Sequence, residues 1–165
     1  MGVGGDSAGG NLAAAVSLTC RAEDHIQPAF QVLVYPALDP DMDYPSARDN
    51  AEGYALTTSA MRWFWDNYAP DPADRADPLA APVNATDLAG LPPAIVVTAE
   101  YDPLRDEAEA YADRLAEAGI PVFGHRYDGT IHGFLWMKTA LVDDFTRLMT
   151  DLALDVAAIL SRRGD

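Results

Sequence analysis

The sequence has one cysteine, Cys20, set in an Ala-rich stretch. A lone thiol excludes an intrachain disulfide and a thiolate zinc cluster, and it favours a cytoplasmic setting. Basic residues are scarce, with 11 Lys and Arg against 26 Asp and Glu and a formal net charge of −15 at pH 7. Affinity for phosphates comes from clustered Lys and Arg, so nucleic acid is excluded as a partner. No apolar run approaches the roughly 18 to 20 residues of a membrane span. The opening MGVGGDSAGG lacks the basic region and apolar stretch of a signal peptide. No internal repeat, low-complexity tract or second-domain linker is visible. The 165 residues, 49% apolar and 22% charged, suffice to bury a core and predict one folded domain over 1–165.

What the sequence does contain is an alternation of two periods. Val3 ends a short strand that runs into Gly4, Gly5, Gly9 and Gly10, which enclose Ser7. Residues Asn11 to Arg21 predict a helix, with Leu12 and Val16 on one face and alanines small enough to approach a sheet closely. Ala29 to Tyr35, ended by Pro36, has the continuous apolar character of a strand buried on both faces. From Pro36 to Thr58 no period is sustained, which predicts a long surface excursion. Ser59 is the expected N-cap of a helix reaching about Tyr68, and its Met61, Trp63, Phe64 and Trp65 read as packing residues rather than a ligand cage. Ala94 to Ala99 is a second buried strand. Leu104, Ala108, Tyr111 and Leu115 then follow at helical spacing until Gly119. Pro121 to Tyr127 predicts a third strand, and about Ala140 to Ser161 a last helix with Phe145, Leu148, Leu152, Val156 and Ile159 on one face. This order predicts the α/β class, a mostly parallel sheet flanked by helices.

Gly5-Asp6-Ser7-Ala8-Gly9 matches G-x-S-x-G, which holds a serine on a sharp strand-to-helix turn. Small residues are expected there because side chains would collide with the neighbouring strand or helix. On such a turn the Ser7 hydroxyl projects beyond the sheet, and the Ala8 amide points from the helix N-terminus toward a developing oxyanion. A serine needs a base, and the sequence offers three histidines. His25 sits at the polar end of the first helix beside Glu23 and Asp24, and reads as a surface residue. His125 falls within the third strand and reads as a packed or edge residue. His132, in a loop between the third strand and the last helix, is the best-placed base. The base needs a carboxylate to fix its tautomer. Asp102, directly after the second strand, ranks first; as a helix cap ahead of Pro103 it would compete for the same oxygens. Asp39, with Asp41 and Asp43 nearby, is the second candidate. The order Ser7, Asp102, His132 is that of the α/β-hydrolases.

At these residues the sequence resembles the hormone-sensitive-lipase-like family of α/β-hydrolases, the bacterial family IV esterases. Three segments carry the resemblance: Gly4 to Ala13 (GGDSAGGNLA), Asp102 to Glu107 (DPLRDE) and Ile131 to Phe134 (IHGF). It implies Ser7 as nucleophile, Asp102 as acid, His132 as general base and Ala8 as an oxyanion donor. The implied reaction is hydrolysis of short- to medium-chain carboxylic esters through an acyl-enzyme, with a small-molecule ester as substrate and no cofactor. A prolyl-oligopeptidase-type peptidase shares the residue order, but GDSAGG and DPLRDE argue against it. A ligand-binding protein on the same scaffold, such as the gibberellin receptor, lacks the catalytic histidine that His132 supplies here. An inactive remnant acting through association with another chain is the remaining alternative.

The resemblance covers the C-terminal half of the family pattern. Members carry an upstream His-Gly-Gly-Gly segment that supplies oxyanion donors, together with early strands and part of a cap. Six residues before Ser7 cannot hold these, and each missing donor costs about 3 to 4 kcal/mol of transition-state stabilisation. The expectation is therefore a partial α/β-hydrolase of reduced or no activity alone. The strand ending at Val3 would then expose a sheet edge that favours pairing with another chain.

Overall fold

A computed structural model describes residues 1–23 and 25–162. The apolar runs form four strands, β1 (Val3–Asp6), β2 (Gln31–Val34), β3 (Ala94–Tyr101) and β4 (Val122–Ile131). They lie in the order β1-β2-β3-β4, every neighbouring pair parallel. Between them run α1 (Ala8–Ala22), α2 (Pro45–Asp49), α3 (Thr58–Tyr68), α4 (Pro72–Arg75) and α5 (Arg105–Glu117), and α6 (Val142–Ser161) follows β4. The outer edge of β1 carries no partner strand among the described residues. No helix among the described residues is long and apolar enough to cross a membrane.

Side chains alternate across β3 and both faces are covered, which is why Ala94 to Val97 form an unbroken apolar run. Ala94 and Val96 face one layer, packed with Ala13, Ala14 and Leu18 of α1 and Ala108, Tyr111 and Leu115 of α5. Ile95, Val97 and Ala99 face the other, where Leu148 and Ile159 of α6 close the core with Tyr127 and Phe134. A third cluster of Ala37, Met42, Ala47, Met61, Trp65, Ala81 and Leu104 joins the excursion to α3 and to the start of α5. Gly119, at φ +80°, adopts the left-handed conformation that ends α5.

Several details depart from the sequence expectations. The alanine face of α1 meets the sheet as expected, while Leu12 and Val16 point outward, 54% and 44% exposed. Small side chains win that contact because they let helix and strand backbones come close. The N-cap of α3 is Thr57, whose hydroxyl accepts from the Ala60 amide at 3.1 Å, and not Ser59. The excursion contains α2, where buried Ser46 accepts from the Asp106 amide at 3.1 Å and donates to the Pro103 carbonyl at 3.0 Å. The third predicted strand runs on to Ile131, which carries the chain to the threshold of His132.

Candidate active site

Ser7 is the hinge between β1 and α1. Its backbone sits at φ 54° and ψ −119°, a conformation that costs a non-glycine residue about 1 to 3 kcal/mol. The surroundings hold it there: its amide donates to the Val34 carbonyl at 2.9 Å, and its carbonyl accepts from Gly10 at 3.0 Å and Asn11 at 3.2 Å. A Cβ on Gly5 would stand 2.3 Å from the Gly9 carbonyl oxygen, and one on Gly10 2.8 Å from Pro36. The expected collision does not extend to Gly9, where a Cβ would meet nothing within 4 Å. Buried Asn11 donates to the carbonyls of Ala37 and Ala80, each at 2.8 Å, and so ties the turn to the segments around it.

His132 follows β4 directly, with Gly133 turning the chain at φ +81°. Its Nε2 lies 3.0 Å from Ser7 Oγ, and its Nδ1 lies 2.7 Å from Asp102 Oδ2. Asp102 is wholly buried at the end of β3 and its other oxygen, Oδ1, accepts from the Leu104 amide at 2.9 Å. The helix-cap role does not fall to Asp102: Leu104 stands at the N-cap of α5 without a side-chain cap bond, so Oδ1 holds the turn ahead of the helix and Oδ2 is left to His132. Asp39 instead accepts from the Asp41 amide at 2.9 Å, and burial raises its pKa. His25 pairs with Glu23 at 2.9 Å on the exposed end of α1, while Asp24 lies outside the described residues. His125 meets Asp155 of α6 at 2.6 Å. Among the described residues, His132 alone joins a carboxylate to a serine hydroxyl.

A cavity of about 590 Å³ opens beside Ser7 and Ala8, walled by Leu12, Leu56, Met61, Phe64, Trp65 and Tyr68. The aromatic residues of α3 therefore divide their duties. Trp65 and Met61 pack in the third cluster and also face the cavity, while half-exposed Phe64 walls it without entering that core. The excursion contributes Ala37 and Leu56 to the walls, whereas Leu135 and Trp136 do not line the cavity. Trp136 is held away, its Nε1 donating to Asp6 Oδ2 at 2.8 Å.

Several residues near this row escaped the sequence reading. Tyr35, at φ 35° just after β2, sets its ring 4.6 Å from the His132 ring and donates its hydroxyl to Asp6 Oδ2 at 3.4 Å. Burial, with the Asp6 carboxylate adding, pushes the Tyr35 hydroxyl well above the usual tyrosine range. Glu107 is wholly buried on α5, its Oε1 accepting from the amides of Leu38 at 2.7 Å and Asp39 at 3.1 Å. Desolvation raises its pKa well above 4.5, and Asp39 and Asp102 add to the shift. Glu107 did leave a signal, because it falls on the helical stripe of Leu104, Ala108 and Tyr111. A carboxylate on an apolar stripe is a buried charge in need of partners.

Comparisons with known proteins bear on the fold and the family. A model of the alpha/beta hydrolase fold family matches residues 1–136. An arylesterase of Saccharolobus solfataricus is 45% identical over 132 residues, covering 79% of this chain and 43% of that protein. An ethyl acetate hydrolase of Pseudomonas putida is 36% identical over 142 residues, covering 86% of this chain and 45% of that protein. Among solved structures, an ester hydrolase from the metagenome of Lake Arreo superposes with a TM-score of 0.86 at 46% identity, over 98% of this chain and 50% of that one. The chain belongs to the α/β-hydrolase fold family, in its hormone-sensitive-lipase-like group, the bacterial family IV esterases. It spans less than half the length of the curated relatives it matches.

Proposed function

We propose that this chain supplies the nucleophile, base and acid of a carboxylic ester hydrolase that acts on short- to medium-chain esters through an acyl-enzyme. The observation that carries the reading is the hydrogen-bonded row of Ser7, His132 and Asp102, at 3.0 and 2.7 Å. In this reading Ser7 Oγ attacks the ester carbonyl as His132 Nε2 takes its proton, and Asp102 steadies the imidazolium. The developing oxyanion meets the Ala8 amide, which stands first in α1 and so lacks a helical carbonyl four residues back. His132 then returns the proton to the departing alcohol. A water, activated by the same histidine, releases the acid and restores Ser7. The apolar walls on α3 favour an alkyl or aryl group beside the reacting carbonyl.

One amide is a sparse oxyanion site, and no His-Gly-Gly-Gly segment occurs in these 165 residues. The reading therefore includes reduced turnover by this polypeptide alone, by a factor of about 100 to 1000 for each absent donor. The outer edge of β1, without a partner strand among the described residues, favours pairing with another chain. The test is hydrolysis of a short-chain nitrophenyl ester by the 165-residue chain and by a version joined to an upstream hydrolase half, each with a Ser7→Ala counterpart. Fast turnover in the joined version, lost on Ser7→Ala, is the expected result. Turnover there that survives Ser7→Ala would overturn the assignment of the nucleophile.

A further inference from the structure

The hydrolytic cycle above makes no use of Asp6, yet two residues from distant parts of the chain converge on one of its oxygens. Trp136 Nε1 donates to Asp6 Oδ2 at 2.8 Å across 130 positions of sequence, and the Tyr35 hydroxyl donates to the same oxygen at 3.4 Å. Both donors belong to the surroundings of His132. Trp136 closes the short helical turn Phe134–Trp136 that follows the histidine, and the Tyr35 ring lies 4.6 Å from the imidazole. We propose that Asp6 is a positioning residue, latching the histidine loop and the ring behind His132 to the turn that carries Ser7.

Burial alone does not account for the place of Trp136. The side chain of a residue 73% exposed gains little from packing, whereas Phe134, two positions earlier, is wholly buried against Tyr35 and Tyr127. The loop is therefore fixed at two points of different kind, an apolar anchor at Phe134 and a polar latch at Trp136. Between Ile131 at the end of β4 and Val142 at the start of α6, the latch ties the loop to β1 at a point beyond the His132–Ser7 bond itself. A carboxylate suits the task because it is an acceptor only and can receive two donors at one oxygen. Asp6 precedes Ser7 directly, so a shift of the latch is passed to the hydroxyl and the imidazole together.

The proposal rests on the hydrolase reading for its catalytic consequence, but its geometry can be measured apart from turnover. In the 165-residue chain, nuclear magnetic resonance follows the proton shared by His132 Nδ1 and Asp102 and its exchange with solvent. In parallel, a fluorophosphonate measures the rate of Ser7 modification. Asp6→Ala and Trp136→Phe are each expected to speed that proton's exchange and to slow Ser7 modification by about tenfold, the low end for a hydrogen bond to a charged group. Asp6→Asn, which keeps an acceptor for Trp136, is expected to recover to within about threefold. Because the two residues act through one bond, the double variant Asp6→Ala/Trp136→Phe should be no slower than either single one. An unchanged proton and rate in Trp136→Phe, or additive losses in the double variant, would overturn the latch. If the parent chain shows the shared proton but Ser7 resists the fluorophosphonate even in the version joined to an upstream hydrolase half, the hydrolase reading falls, and the exchange rates still decide the role of Asp6.

Discussion

Two histidines on one stretch of chain each meet an aspartate at nearly the same distance, His125 with Asp155 at 2.6 Å and His132 with Asp102 at 2.7 Å. What separates them is the second ring nitrogen and the depth of the pair. His132 offers its Nε2 to Ser7, whereas His125 Nε2 is already committed to Asp155 on α6. The side chains of His132 and Asp102 are 12% and 0% exposed, against 26% and 13% for the other pair. His125 lies within β4 and pins a helix to the sheet; His132 lies one step past the end of the strand, where the loops gather. A carboxylate–imidazole bond is therefore ordinary architecture until a third group occupies the free nitrogen.

The contrast can be broken most sharply at the histidines. His132→Ala is expected to lower modification of Ser7 by a fluorophosphonate by about 10⁴-fold or more, while His125→Ala leaves the rate within about threefold. Comparable losses in the two variants would erase the distinction. At the carboxylates the effects divide by kind. Asp102→Asn should cost about 10⁴-fold in ester turnover, as removal of the tautomer-fixing charge does in serine hydrolases. Asp155→Asn should leave turnover alone and lower Tm by about 2 to 4 °C, the mark of about 1 kcal/mol in a domain of this size. Turnover and melting curves of the two variants decide between these roles.

The smallest effect sharpens the setting of Asp102, which has buried Glu107 as a neighbour. The folded state holds the Glu107 proton above its ordinary value of 4.5 because burial disfavours the carboxylate. Between that value and the raised one, the folded chain binds more protons than the unfolded chain, so this group's contribution makes stability fall as pH rises. Glu107→Gln removes the titration while keeping an oxygen for the amides of Leu38 and Asp39. The variant's Tm is therefore expected to gain on the parent's between pH 5 and pH 8. A difference that stays constant across that range would show that Glu107 is charged throughout.

The strands were legible because a parallel sheet covered on both faces requires continuous apolar runs, and Val32 to Val34 and Ala94 to Val97 supply them. So was the inner face of α1, because its alanines are small enough to bring helix and sheet together. At the candidate site, the positions of Ser7, Asp102 and His132 could be read because each sits where a strand gives way to a turn. The Asp6–Trp136 bond had no local signature, for its partners stand 130 positions apart. Tyr35 likewise reads as the last residue of an apolar run, and only its backbone at φ 35° reveals a different task.

The row of Ser7, Asp102 and His132 draws on β1, β3 and β4, and so crosses the sheet from one edge strand to the other. A slip of one residue between any two neighbouring strands moves everything beyond it by about 3.3 Å, more than the length of either bond in the row. The same slip would turn the apolar faces of those strands the wrong way. Alignment of the three side chains is thus a gauge of strand register, and a chain that misregisters anywhere along the width of the sheet has no intact row to offer.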